Sequence, residues 1–231
     1  LVAAAGGKHG VKAEHLAVKA LAFSKRPQAT DVLVNALRSR DASLVGNALI
    51  ALKIRSDPAT SLPPIVGLLR ADITEARRYA PLALANVVMA RERAGRPVEE
   101  QTAEQAMTGL VGLVQDRDPF ARLHAAKAMG ALRRPEATDF LVLLLRDEHV
   151  RIRLAAAAAL ERIGDPRAFA QVVRLLDEVP EDQKAVVRDV LASYAERLQG
   201  RPLAPGQATS LGTSPTAWDR WYADHVARAP R

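Results

Sequence analysis

Cysteine is absent from all 231 residues, which excludes disulfides, thiolate metal sites and a cysteine nucleophile together. Aromatic residues are scarce, 4% of a chain that is 48% hydrophobic, so its core must be built from Ala, Leu and Val. Such small side chains let helices approach closely, which suits stacked helical hairpins better than a core needing bulky filler. No apolar run reaches the roughly 18 residues of a membrane span. An initiator Met is missing too, as expected of a processed mature form or a piece of a longer protein. The small residues Leu1–Gly7 fit the remnant of an export signal. The cytoplasm is slightly favoured as the compartment, with an exported or periplasmic form as the alternative.

What the chain does contain is a repeat. Asp116-Arg-Asp-Pro-Phe-Ala-Arg122 opens a unit that continues through Ala125-Ala126-Lys-Ala128-Met129 to Arg134-Pro135-Glu-Ala137. Thirty-one positions later, Asp147-Glu-His-Val-Arg-Ile-Arg153 leads through Ala156-Ala157-Ala-Ala159-Leu160 to Asp165-Pro166-Arg-Ala168. A fixed period of this size, with helix formers between the punctuation, predicts a stack of helix pairs. The slot of Arg122 and Arg153 is held elsewhere by Glu14, Val45, Arg77 and Lys184, and the turn prolines are Pro27, Pro58, Pro97, Pro135 and Pro166. Proline suits such a turn because it lacks an N–H and presets φ for the next helix. Ser61-Leu-Pro-Pro64 reads as an N-cap followed by prolines in a first turn.

The expected fold is all-α: an α-solenoid of five to six hairpins over 10–198, after a short tail at 1–9. The third hairpin, about 74–114, gains seven residues in each arm relative to the fourth. Two extra turns carry its charged tip outward by roughly 10 Å, and Pro81 is expected to kink its first arm. A sixth first helix starts near Glu181 with Val186, Val187, Val190, Leu191 and Tyr194 as its buried stripe. Residues 199–214 read as a strap or linker. Residues 215–231 form a terminal helix and tail, with Trp218, Trp221 and Tyr222 on one face: a lid over the last repeat, or an anchor for a partner.

These units resemble the HEAT family, in particular its short bacterial form named after phycobilisome-lyase subunits. The likeness rests on Asp116-x-Asp-Pro-x-Ala-Arg122 and on Ile163-Gly-Asp-Pro-Arg-Ala168. It is strongest in the fourth and fifth units and weakens in the first two, where Glu14 and Val45 replace the arginine. It implies a right-handed superhelix whose second helices line the concave side, in a family that mostly serves as protein-binding scaffolds. Lyase members attach bilin pigments to partner proteins; no pigment-handling motif is matched here, and that activity is not carried over.

Catalytic patterns are missing. The histidines His9, His15, His124, His149 and His225 have no paired ligand spacing, there is no Gly-x-Ser-x-Gly elbow, and Gly-rich phosphate loops are absent. Asp116, Asp118 and Asp147 read as helix caps rather than a hard-metal cluster. No cofactor, metal or enzymatic activity is expected. The net charge of +7 invites a nucleic-acid reading. Yet the second-helix spans carry five arginines (Arg38, Arg70, Arg146, Arg167, Arg174) against seven carboxylates, and only Phe140 and Phe169 as aromatics. The leading expectation is a protein or peptide bound by Arg38, Arg70, Arg146 and Arg174 on the concave face, and by Arg91, Arg93, Arg96, Glu99 and Glu100 on the third hairpin. The alternative is nucleic acid or an anionic surface on Lys19, Lys25, Arg26, Arg133, Arg134, Arg151 and Arg153.

Overall fold

The computed structural model describes residues 11–227; the expected tail at 1–9, His9 and the last residues, 228–231, lie outside the described residues. Among the described residues the regular elements are all helical, and the architecture is an all-α solenoid of repeated hairpins. The chain divides into two compact units between Leu132 and Arg133.

The first unit holds α1 (Val11–Leu21), α2 (Gln28–Ala36), α3 (Ala42–Arg55), α4 (Pro63–Gly67, continued by the 3-10 turn Leu68–Arg70), α5 (Thr74–Arg93), α6 (Glu100–Leu113) and α7 (Pro119–Leu132). The first helices α1, α3, α5 and α7 pack each on the next. Alanine makes that stacking close: Ala48, Ala80, Ala83, Ala121 and Ala125 are fully buried, with Leu49, Leu52 and Leu84 between them. On the other layer Gly109 of α6 approaches Leu69 so closely that an added Cβ would lie 2.7 Å from the leucine Cβ.

The second unit holds α8 (Thr138–Leu144), α9 (Val150–Ile163), α10 (Phe169–Glu178), α11 (Glu181–Gln199), α12 (Gln207–Leu211) and α13 (Pro215–His225). Here α9 packs on α8 and α11, and α10 on α11 and α13. Short 3-10 turns at Pro135–Ala137 and Pro166–Ala168 precede α8 and α10, so the turn prolines enter a tighter coil before the α-helix begins.

Each of the first helices α3, α5, α7, α9 and α11 is followed by a residue at positive φ: Ser56 at 45°, Gly95 at 65°, Arg133 at 53°, Gly164 at 76° and Gly200 at 70°. A left-handed residue lets the chain reverse while satisfying the last helical carbonyls. Gly164 stands 31 positions after Arg133, so one structural slot is filled by glycine in one repeat and arginine in the previous one. At Gly164 the space is closed as well, since an added Cβ would meet Arg197 Cδ at 2.6 Å.

Several details differ from the sequence expectation. The cap of α4 is Leu62, not Ser61, which is exposed and makes no capping bond. Pro63 and Pro64 remove two of the amides a serine would cap, and the Ile65 N–H is already bonded to the Leu62 carbonyl at 2.9 Å. Val186 is 45% exposed rather than part of the buried stripe. The buried face of α11 is Val187, Leu191, Tyr194 and Ala195, which keeps helical spacing and leaves Val186 one step off it. The strap contains a helix of its own, α12. In the third hairpin α5 has 20 residues and α6 has 14, against 14 and 7 in α7 and α8. Helix α5 runs unbroken through Pro81, which is buried.

Candidate functional site

The repeated arginine is structural. Arg77, Arg122 and Arg153 each reach back six residues, donating from Nη1 to the carbonyls of Ala71, Asp116 and Asp147 at 3.2, 2.9 and 2.8 Å. Arg77 also pairs through Nε with Asp116 Oδ2 at 2.8 Å, and Arg153 donates through Nη2 to the Glu178 carbonyl at 3.1 Å. Asp116 and Glu178 open the following repeats, so each of these two arginines ties its own turn to the next. The aspartates brace the same turns. Asp118 caps α7 by accepting from the Phe120 N–H at 3.0 Å and pairs with Arg78 Nε at 2.7 Å. Asp147 accepts from the His149 N–H at 2.9 Å, just before α9 begins.

These contacts bear on the basic surface. Arg153 is engaged with main-chain carbonyls, and Arg134 pairs with Glu136 at 3.6 Å. Arg133 supplies the left-handed residue after α7. Lys19, Lys25, Arg26 and Arg151 are exposed.

The residues singled out for partner binding do not behave alike. Arg38, Arg70, Arg146 and Arg174 are exposed on or just beyond α2, α4, α8 and α10. Arg93, Arg96, Glu99 and Glu100 are exposed at the α5–α6 tip, where Glu99 accepts from the Thr102 hydroxyl at 3.3 Å. Arg91 is half-buried and turned inward, donating through Nη2 to the Thr60 carbonyl at 3.1 Å. It fastens α5 to the turn of the second hairpin, a role its position near a charged tip concealed.

Arg146 and Arg174 come together in the second unit. They border a groove of about 210 Å³ lined also by Val142, Leu145, Gln171 and Glu178. Leu145 is buried and Val142 half-buried, giving an apolar floor, while Leu143 beside it is 55% exposed. Gln171 Oε1 accepts from Arg174 Nη1 at 3.3 Å and so orients that guanidinium. Among the described residues neither arginine has a carboxylate partner. The groove is smaller than the roughly 300–1,000 Å³ of small-molecule sites; it has room for a side chain. Sequence periodicity could not find it, because Arg174 is equivalent in the repeat to Leu143.

The terminal aromatics face inward. Trp218 is fully buried and Trp221 nearly so, both against Phe169 of α10. Tyr222 stacks on Phe169 with ring centres 5.0 Å apart and planes 15° from parallel, and its hydroxyl donates to the Pro166 carbonyl at 3.2 Å. Tyr194 meets the same ring edge-on at 5.5 Å and donates to the Asp165 carbonyl at 2.5 Å. Burial pushes the Tyr194 hydroxyl above its ordinary pKa. Phe169, one of the two aromatics of the second-helix spans, is the centre of this cluster. Trp218 Nε1 donates to the Gly212 carbonyl at 3.0 Å, fixing α13 to the end of the strap.

Of the histidines, His15 lies 3.0 Å from Asp41, and His124 is buried with Nδ1 2.6 Å from the Arg78 carbonyl. Burial lowers the His124 pKa; because a carbonyl can only accept, Nδ1 is the donor in this contact. Asp147, Glu148 and His149 have ligand atoms within 4.8 Å of one another. Asp147 already braces the His149 amide, and this trio is accounted for as a turn.

Fold and contacts together define an α-solenoid of HEAT type, in which the recurrent polar residues hold the turns. The comparisons agree. Residues 98–193 match the family model for HEAT repeats. Over that span the chain is similar to HEAT repeats. "Uncharacterized phycocyanin operon protein Z" of Pseudanabaena tenuis (strain PCC 7409) is 25% identical over 141 residues, covering 61% of this chain. The match spans 66% of that protein's length, just under two thirds. The complex of CpcE and CpcF of phycocyanin lyase from Nostoc sp. PCC7120 is similar in fold, with a TM-score of 0.58 at 17% identity over 97% of this chain and 86% of that one. A designed armadillo repeat protein in complex with the peptide (KR)4 matches at a TM-score of 0.53 and 14% identity, over 96% and 97% of the two chains.

Proposed function

We propose that this chain is a non-catalytic scaffold that holds a protein or peptide along the concave face expected of its second helices. The exposed tip of the α5–α6 hairpin serves as a lateral contact. The observation that carries the reading is the pair Arg146 and Arg174, exposed over an apolar floor while Arg77, Arg78 and Arg153 are consumed by the fold. An apolar centre with a polar rim is how protein interfaces are built. The peptide complex of a designed armadillo protein lends support, as a relative in fold with a partner bound. Crosslinking in the native host, followed by purification of the tagged chain, tests the scaffold. A partner recovered in stoichiometric amount is expected, with weaker recovery when seven residues are trimmed from each arm of the third hairpin. Unchanged recovery after trimming removes the hairpin from the interface; no partner at all removes the scaffold.

The likeness to the CpcE and CpcF pair favours a second reading, in which the chain holds the protein substrate of a lyase assembly. Covalent attachment of a bilin to a phycocyanin subunit, dependent on this chain, distinguishes that role from plain binding.

A further inference from the structure

We propose that the α8–α10 groove is a carboxylate subsite: it takes an Asp or Glu side chain of an acidic peptide between Arg146 and Arg174. A neighbouring apolar side chain of the same peptide covers Val142 and Leu143. The inference rests on the scaffold reading above and deepens it by naming the partner's chemistry.

Three observations converge on this assignment. The two guanidinium groups border one groove and, among the described residues, have no carboxylate partner, whereas Arg77 pairs with Asp116, Arg78 with Asp118, Arg167 with Asp165 and Arg197 with Glu161. Guanidinium groups bind carboxylates by charge-assisted, often two-pronged hydrogen bonds, and Gln171 already orients one of them.

The repeat supplies the second observation. Residues that serve the same stacking contact in successive repeats recur every 31 positions, as Arg122 and Arg153 do. Arg174 is equivalent to Leu143, and Arg146 to Asp177. Neither arginine belongs to that recurring set.

Size and charge narrow the occupant. At about 210 Å³ the groove is filled by a side chain, not a cofactor. Glu178 closes one end, and exposed Asp177 lies beside it on α10. A continuous phosphate backbone would meet both acids, whereas a single carboxylate held by the two guanidinium groups faces Glu178 alone.

The test is selection of a random 12-residue peptide phage library on the full-length chain, followed by fluorescence anisotropy of the enriched peptides. Enrichment of Asp or Glu next to an apolar residue is expected. R146E/R174E should weaken binding of these peptides about tenfold, the sum of two partly exposed charge pairs, and should shift selection toward Lys and Arg. Both positions are exposed, so the fold should survive, which circular dichroism checks; L143S, which removes the apolar contact and adds no charge, must weaken binding without reversing the charge preference. Enriched peptides that ignore R146E/R174E overturn the subsite and leave the scaffold standing. No enrichment of any peptide overturns both. A gel shift with a 20-bp duplex, abolished by R146E/R174E while peptide binding is not, assigns the groove to nucleic acid and ends the proposal.

Discussion

Arg77 and Asp116 lie 39 residues apart and meet at 2.8 Å, Nε to Oδ2, with the aspartate almost buried. The same guanidinium holds the Ala71 carbonyl, so one side chain fastens two successive turns. Lysine cannot make both bonds in that planar geometry. R77K should therefore destabilise the protein by about 1–2 kcal/mol, as expected for hydrogen bonds to charged groups. R93K, at the exposed tip, should stay within about 0.5 kcal/mol of wild type. Urea unfolding measures both, and equal midpoints for the two variants would show that the Arg77 contacts contribute nothing.

His124 gives a pH dependence. Burial favours its neutral form in the folded state. The unfolded chain takes up the proton first, near the ordinary value of about 6.5. Stability is thus full above that pH and falls as the pH drops below it. Asparagine retains an N–H near the place of Nδ1 but cannot titrate. The difference in Tm between wild type and H124N should shift against wild type between pH 7.5 and 5. A difference that stays constant across this range would refute the assignment.

Two glycines on α6 should respond with opposite sign. An alanine at Gly109 would place Cβ 2.7 Å from Leu69 Cβ, which can yield only by moving its backbone. G109A should cost about 1–3 kcal/mol, the usual range for overpacking. Gly112, on the same helix, has nothing within 4 Å of an added Cβ. G112A should stabilise by about 0.5–1 kcal/mol, because alanine loses less backbone freedom in a helix. Chemical denaturation of the pair checks the close approach, and a neutral G109A would mean that α6 is not held against Leu69.

Both tryptophans of the chain sit on α13, packed on Phe169. Their fluorescence reports on that helix alone, while far-UV circular dichroism reports on every helix. If α13 is a lid held by the aromatic cluster, F169A should red-shift the emission and move the fluorescence transition to lower denaturant than the circular-dichroism transition. A chain ending before Ser214 should bind more of a hydrophobic dye, since Phe169 loses its cover. Coincident transitions in F169A, with no gain of dye binding on truncation, would show that α13 unfolds only with the rest.

Much of this was already written in the order of residues. Helix positions, turn prolines, the cap at Ser214, the stop at Gly200 and the longer third hairpin all follow from local rules that need only neighbours in sequence. A 31-residue period then implies stacking, because short amphipathic helices bury their apolar faces only against one another.

Other features depend on contacts between residues far apart in the chain. Arg91 and Arg93 sit two residues apart near one charged tip, yet one is fastened to Thr60 and the other is exposed. Two steps along a helix turn a side chain by about 200°, and which direction meets a neighbour is set by the hairpin beside it. Phe169 looks like a surface aromatic until α11 and α13 enclose it. Arg146 and Arg174 share a groove because α8 and α10 lie side by side, a closeness that no spacing within either repeat encodes. Local chemistry settles which segments coil and where they stop; the packing of one coil on another settles which of their charges remain free to meet a partner.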